Sequence, residues 1–311
     1  MNDMAIWTEK LVKVYSQVKA VDELSLHVPR GGIYGFLGRN GAGKTTTIKI
    51  LLGLARPTAG QATVLGFRVG REQVAILERT AYVSENKSLY GNLTAQELTR
   101  FTRGFYPNWS DEAAAKYARS FEILMDRPFS KLSQGNRTKV YLLLALSQGA
   151  DLLVLDEPTT GLDPVAVDEF LRVLAQDVVG EGRTVLISSH QLSDVEQIAD
   201  HVGLIDHGRP LLEARLDDIK SQFRLVTAAG NALPLNKSPE VVSVTSDGNF
   251  CKYIVKQNAD AFAADLRQHG ATVTDVSPLG LREIFLELVR KEEPCTPGNA
   301  GGIPAAVSSS F

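Results

Sequence analysis

Gly38-Arg39-Asn40-Gly41-Ala42-Gly43-Lys44-Thr45 puts three glycines into six residues and follows them with a lysine and a threonine. The apolar run Ile33, Tyr34, Gly35, Phe36, Leu37 before it predicts a buried strand, and Thr46 through Leu52 after it predicts a helix. A glycine-rich turn between a strand and a helix reads as a phosphate-binding loop. Without Cβ atoms in the way its amides converge on phosphate oxygens, and the helix turns its positive end toward them. Gly38, Asn40, Gly41, Ala42, Gly43, Thr45 and Thr46 are the candidate cradle, with Lys44 placed to reach the β and γ phosphates and Thr45 to hold Mg²⁺. At about 4 Å and an effective dielectric near 20, Lys44 contributes roughly 4 kcal/mol per unit phosphate charge, against about 0.3 to 2 for a helix dipole. Lys44 is therefore the anchor, and the chain is expected to build an α/β core around it.

Composition bounds what can surround that core. With 311 residues and 44% hydrophobic content there is room for about two domains of ordinary globular character. A net charge of −3, with basic residues spread along the chain, makes nucleic acid an unexpected partner. Cys251 and Cys295 stand far apart and outside any metal-binding spacing, as in a reducing cytosol. Met1 to Trp7 lacks a basic region followed by an apolar one, so no leader is expected, and no apolar run approaches the about 18 residues of a membrane span. If this protein serves a membrane, another chain is expected to supply the span.

Further motifs follow in order. Loose alternation from Ile6 to Val28 predicts two antiparallel strands. Tyr15 within them is open to two readings, an aromatic stacked on a nucleotide base or a strand tyrosine packed in the core; beside a phosphate loop we take the first. Strands are expected near Ala62 to Leu65 and Thr80 to Val83, with a helix near Arg71 to Arg79 between them. Thr94 with Glu97 forms a capping box, and Ser110 caps a helix running to Leu124. No strand alternates with these helices, which predicts a helical insertion over about residues 86–148; ordinary packing on the sheet is the competing reading. Ser133, in Leu132-Ser133-Gln134-Gly135-Asn136, stands where an N-cap belongs, ahead of the apolar helix Val140 to Leu146. By itself it reads as a plain cap; ahead of the next motif it becomes a second anion site.

That motif is the apolar strand Leu152-Leu153-Val154-Leu155, which ends in Asp156 and Glu157. An acidic residue at the end of a strand beside a phosphate loop holds Mg²⁺, which suits Asp156, and Glu157 is placed to draw a proton from the attacking water. Asp163 caps a helix with Pro164 at its first position. The strand Thr184 to Ile187 delivers Ser188-Ser189-His190 to the ligand edge of a parallel sheet. Ser193 with Glu196 reads as a cap for the next helix, and Val202 to Ile205 as a further strand.

In this order the five stretches resemble the nucleotide-binding subunits of ABC transporters over roughly residues 5–220. The resemblance implies a P-loop NTPase core with an antiparallel β subdomain and a helical insertion. It makes Tyr15 the adenine-stacking aromatic, Asp156 and Glu157 the pair at the metal and the attacking water, and His190 a switch histidine. Ser133 and Gly135 become contacts to the γ phosphate of a nucleotide held by the partner protomer, with Asp163 beside them. It also implies ATP and Mg²⁺ as cofactors and a second ATPase subunit, identical or different. A membrane permease on a separate chain would hold the protein peripherally on the cytoplasmic face of the cell membrane.

Two positions depart from the family pattern. Gln134 and Asn136 replace residues of the usual Leu-Ser-Gly-Gly-Gln, while Ser133 and Gly135 are kept. Glu85 stands where a glutamine near Mg²⁺ and the permease is usual, so we count it with Thr45 and Asp156 as a metal candidate. Together with Tyr106-Pro107-Asn108-Trp109 and a C-terminal extension, it makes the chain similar to ATPases of ABC-2-type exporters. The rival reading is a soluble ABC ATPase acting on ribosomes or DNA, whose relatives carry paired cassettes, a long coiled coil or zinc-spaced cysteines. A P-loop kinase would lack the Ser133 stretch and His190.

Beyond Ser221 the composition shifts toward a small α/β accessory domain over 221–290. Strands Val241 to Val244 and Cys251 to Val255 flank the turn Ser246-Asp247-Gly248-Asn249. A helix over Asn258 to His269 follows, then a strand over Thr272 to Val276 and a last helix capped at Ser277-Pro278 with Leu281, Ile284, Phe285 and Leu288 as its stripe. A packing or dimer-supporting appendage is the preferred reading over a ligand site. The tail over 291–311 has too little apolar mass to order itself.

Overall fold

A computed structural model describes residues 3–85, 90–229, 240–247 and 249–292. The first residues of the expected insertion, Gly248 of the expected hairpin turn, and the tail past residue 292 with Cys295 lie outside them. The chain opens with β1 (Met4–Tyr15) and β2 (Val18–Pro29), paired antiparallel, whose alternation buries Ile6, Leu11, Leu24, Leu26 and Val28. β3 (Ile33–Leu37) leads into the phosphate loop, and α1 (Lys44–Leu51) opens on Lys44 itself. β4 (Ala59–Val64) and β5 (Phe67–Arg68) complete an antiparallel sheet in the order β2-β1-β4-β5. After α2 (Gln73–Glu78) comes β6 (Thr80–Val83).

Three helices follow: α3 (Ala95–Arg103), α4 (Asp111–Ser120) and α5 (Gln134–Leu146). Thr94 and Glu97 make the expected reciprocal cap, with Glu97 N at 3.2 Å from Thr94 Oγ1 and Thr94 N at 2.8 Å from Glu97 Oε2. Ser110 caps α4 as expected, but that helix stops at Ser120, short of Leu124. Glu122 adopts φ 51°, and Ile123 N donates to Ala118 O while Glu122 N donates to Arg119 O. This is a left-handed C-terminal turn of the kind glycine usually supplies, so a glutamate there leaves no mark in the sequence.

The central sheet then assembles from β7 (Leu152–Asp156), α6 (Pro164–Val173), β8 (Thr184–Ser189), α7 (Leu192–Glu196), β9 (His201–Asp206) and β10 (Arg209–Arg215). Its order is β10-β9-β3-β8-β7-β6, parallel except for β10. Leu152 and Val154 point into a core shared with β1, β2 and α1, while Leu153 and Leu155 point into another shared with α5 and α6. Both faces are covered, which is why these strands read as unbroken apolar runs. The C-terminal edge of this sheet therefore carries the phosphate loop after β3, Asp156 and Glu157 after β7, and His190 after β8.

The remainder comprises α8 (Leu216–Gln222), β11 (Phe223–Ala229), β12 (Val241–Asp247), β13 (Phe250–Lys256), α9 (Ala259–Gln268), β14 (Thr272–Pro278) and α10 (Leu281–Glu292). The sheet β12-β13-β11-β14 is antiparallel. α9 closes a small core through Phe262 and Leu266 against Val226, Tyr253 and Val255. Leu216, Ile219, Leu281, Ile284 and Phe285 instead join the large core of the ATPase sheet. Among the described residues no helix is long and apolar enough to cross a membrane.

Three expectations are corrected here. Ser277 and Pro278 do not cap α10, because both are paired to β11 in the sheet; the helix starts after Gly280, whose N–H is held by Glu283 Oε2 at 2.9 Å. α10 also runs over Lys291 and Glu292, two residues assigned to the tail. Ser193 and Glu196 do not form a cap, since Gln191 precedes α7 and no side chain caps it. Glu196 Oε1 is used elsewhere, accepting from Leu281 N at 3.3 Å and pairing with Lys220 Nζ at 3.1 Å. Glu196→Ala is therefore expected to cost roughly 1 kcal/mol, seen as a lower urea midpoint. An unchanged midpoint would mean that apolar packing alone fastens the C-terminal module.

Candidate active site

A cavity of about 330 Å³ opens at that sheet edge, lined by Ala20, Asn40, Gly41, Ala42, Gly43, Lys44, Thr45, Thr46, Glu85 and Glu157. The loop's course depends on Gly43, at φ 107°, where an added Cβ would lie 2.4 Å from Ala20 O. Gly38 N donates to Ser189 O at 3.3 Å, tying the start of the loop to the end of β8. Ala20, from β2, was not singled out in the sequence; it reaches the cavity only because the antiparallel sheet packs beside the loop.

Lys44 is buried, and its ammonium donates to Gly38 O at 2.7 Å and Arg39 O at 3.2 Å. It also lies 3.3 Å from Glu157 Oε1, an ion pair in which that oxygen has no hydrogen-bond partner. Glu157 Oε2 is 2.7 Å from His190 Nδ1. An ionised carboxylate only accepts, so Nδ1 carries the proton of this contact. Glu157 holds φ 49° just after β7, and its N–H is fixed by Ser188 O at 3.2 Å. A left-handed glutamate costs about 1–3 kcal/mol of backbone strain and here turns the carboxylate toward Lys44 and His190.

Asp156 is fully buried and does not line the cavity itself. Its Oδ1 accepts from Ser188 Oγ at 2.5 Å, and its Oδ2 has no partner. Tyr82 has its hydroxyl pushed up to about 12, by burial first and then by the charges of Asp156 and Glu85. It therefore stays a neutral phenol. Among the described residues no three His, Cys, Asp or Glu side chains form a metal-binding group. Mg²⁺ needs no such cage, because it is held by one or two carboxylates with waters and phosphates. The orphaned Asp156 Oδ2, together with Thr45 and Glu85, fits that requirement.

Besides Gly38, Asp156 and His190, which neighbour Lys44 or Glu157, four sequence candidates lie outside the cavity lining. Tyr15 ends β1 half-exposed, with Lys13 Nζ 4.7 Å from its ring centroid. Ser133 caps α5 by accepting from Asn136 N at 3.3 Å. Gly135 lies so close to the loop before α6 that an added Cβ would stand 2.7 Å from Gly161 O. Asp163 caps α6 through Ala166 N at 3.0 Å, and that backbone bond chiefly holds its carboxyl below the usual range. The start of α5 and the loop before α6 thus meet, and neither lines the chain's own phosphate cavity.

A glycine-rich loop at the start of a helix, with a buried strand-end aspartate and a glutamate–histidine pair beside it, defines a P-loop nucleoside triphosphatase. A sequence model of the family described as "ABC transporter" matches residues 21–160. The chain is 40% identical over 223 residues to the bacitracin transport ATP-binding protein BcrA of Bacillus licheniformis, covering 70% of this chain and 72% of that one. It is 30% identical over 298 residues to the protein of the same name from Enterococcus faecalis, covering 92% of this chain and 97% of the relative. A solved structure titled "Structure of ATP binding subunit of ABC transporter" superposes with a TM-score of 0.64 at 28% identity, over 70% of this chain and 92% of that one. The chain belongs to the family of ABC transporter ATP-binding proteins, and it is an ATPase.

Proposed function

We propose that this protein is the ATP-hydrolysing subunit of an ABC-2-type exporter, peripheral on the cytoplasmic membrane face and powering a permease carried on a separate chain. Two copies, or one copy and a related subunit, sandwich each ATP between the phosphate loop of one and Ser133 and Gly135 of the other. The supporting observation is that Ser133 and Gly135 do not line the chain's own cavity, Gly135 lying against Gly161 instead. In this reading Gly38 to Thr46 cradle the phosphates, Lys44 binds the β and γ oxygens, and Tyr15 stacks on adenine. Asp156, Thr45 and Glu85 hold Mg²⁺, which when bound offsets phosphate charge.

Glu157 then accepts the proton of the attacking water as its oxygen bonds to the γ phosphorus. The bond to the bridging oxygen breaks, and ADP leaves with its new charge balanced by Lys44 and the loop amides. His190, oriented by Glu157, faces the γ phosphate. A polyphosphate must draw Lys44 away from Glu157 Oε1, which frees that oxygen for the water. The bacitracin transport named for both relatives makes an exported compound of the bacitracin kind the substrate class we favour.

Permease docking has a candidate surface nearby. Tyr90, a few residues beyond Glu85, is exposed with Phe101 and Phe105, and the three meet edge to face with centroids 5.7 and 5.1 Å apart. Contiguous exposed aromatics of this kind mark protein contacts.

The composite site is tested by mixing two dead variants. Ser133→Arg blocks closure on the partner while leaving its own phosphate loop free, and Lys44→Ala spoils the loop while leaving Ser133 free. Each alone should be inactive, and mixed dimers should recover part of the activity, because one of their two sites is intact. Absence of recovery in dimers shown to be mixed would overturn the sandwich.

A further inference from the structure

The turn after β9 grips the phosphate loop from behind. Asp206, the last residue of β9, is buried, with a side chain 5% exposed. It takes Arg39 as a fork, with Arg39 Nε 3.1 Å from Oδ1 and Nη2 2.7 Å from Oδ2. Two residues later Gly208 N donates to Ala42 O at 2.9 Å, and Gly208 O accepts from Asp22 N at 2.9 Å. The same turn therefore holds both ends of the arc Arg39 to Ala42, one end by a side chain and the other by a backbone carbonyl. His207, between them, has Nε2 3.3 Å from Arg39 Nη2.

We infer that Asp206 and Arg39 are positioning residues for ATP, forming a clamp that presets the arc whose amides meet the phosphates. The inference rests on the phosphate-loop reading above. Peptide units are planar, so fixing Cα39 and Ala42 O leaves the units between them few orientations. Those units belong to Asn40 and Gly41, both of which line the cavity. Arg39 O also receives Lys44 Nζ, so the clamp sets the direction of the anchor lysine as well. A fork is suited to this because two parallel bonds fix orientation, which a point charge does not. The clamp also consumes the charge of Arg39. With Asp206 beside it, the guanidinium offers little net attraction to phosphate, and its contribution is geometric.

That difference makes the inference testable. If Arg39 served as a phosphate ligand held back by Asp206, then Asp206→Ala would release it and tighten ATP binding. As a positioning pair, Asp206→Ala and Arg39→Ala should each weaken MgATP binding by about tenfold, seen as a raised KM and a raised calorimetric Kd with kcat nearly unchanged. The double variant should be no weaker than the worse single one, because the clamp is lost once. Arg39→Lys, which keeps the charge and loses the fork, should show about a threefold loss, and it serves as the readout if Asp206→Ala fails to fold. Tighter binding in Asp206→Ala, effects that multiply in the double variant, or Arg39→Lys at parental affinity would each overturn the clamp. Any such result, with Lys44→Ala still losing ATP, would leave the phosphate-loop reading in place.

Discussion

Replacing Glu157 with glutamine is expected to lower ATP turnover by about 10² to 10⁴ while nucleotide still binds. Glutamine keeps the shape, and its carbonyl can still receive the His190 Nδ1 proton across the 2.7 Å now spanned by Oε2. What it loses is basicity toward water and the charge that lies 3.3 Å from Lys44. With that counter-charge gone, Lys44 is more available to phosphate, so ATP affinity should hold or rise as the rate falls. A steady-state assay measures the first effect, and light scattering should show an ATP-dependent dimer that persists because hydrolysis no longer opens it. Parental turnover in Glu157→Gln would mean that another group takes the proton.

Lys44→Ala should abolish tight MgATP binding. A charge about 4 Å from phosphate at an effective dielectric near 20 contributes roughly 4 kcal/mol, which corresponds to about three decades of affinity. The variant also strips Gly38 O and Arg39 O of their donor and leaves the Glu157 carboxylate buried without its cation. Some loss of stability should therefore accompany the loss of binding, and a thermal melt separates the two. Titration calorimetry giving parental affinity on a folded Lys44→Ala protein would refute the phosphate-loop assignment.

Several features of this site were legible in the sequence because their determinants lie within three or four residues of one another. The Thr94, Ser110, Ser133 and Asp163 caps each satisfy an amide three residues on, so local chemistry sufficed. The continuous runs at β3, β7 and β8 announced strands covered on both faces, and hence a parallel sheet with a ligand edge. Where the same local patterns failed, a distant group had claimed the residue. Glu196 looked like half of a capping box, but it accepts from Leu281 N, 85 residues away. Ser277 and Pro278 looked like a helix start, yet the register with β11 keeps them in a strand.

By itself the sequence determined the phosphate loop, the order of the motifs along the sheet edge and the helix starts at Thr94, Ser110, Ser133 and Asp163, since short-range sterics and hydrogen bonding dictate them. Only the tertiary structure decided that Glu157 would lie between Lys44 and His190, that Asp206 would reach back to Arg39 across 167 residues, and that Ser133 would sit away from its own chain's cavity. Those contacts follow from which strands pair and which faces bury. The left-handed turns at Glu122 and Glu157 belong with them, because neighbours fixed by packing, and no glycine, hold the backbone there.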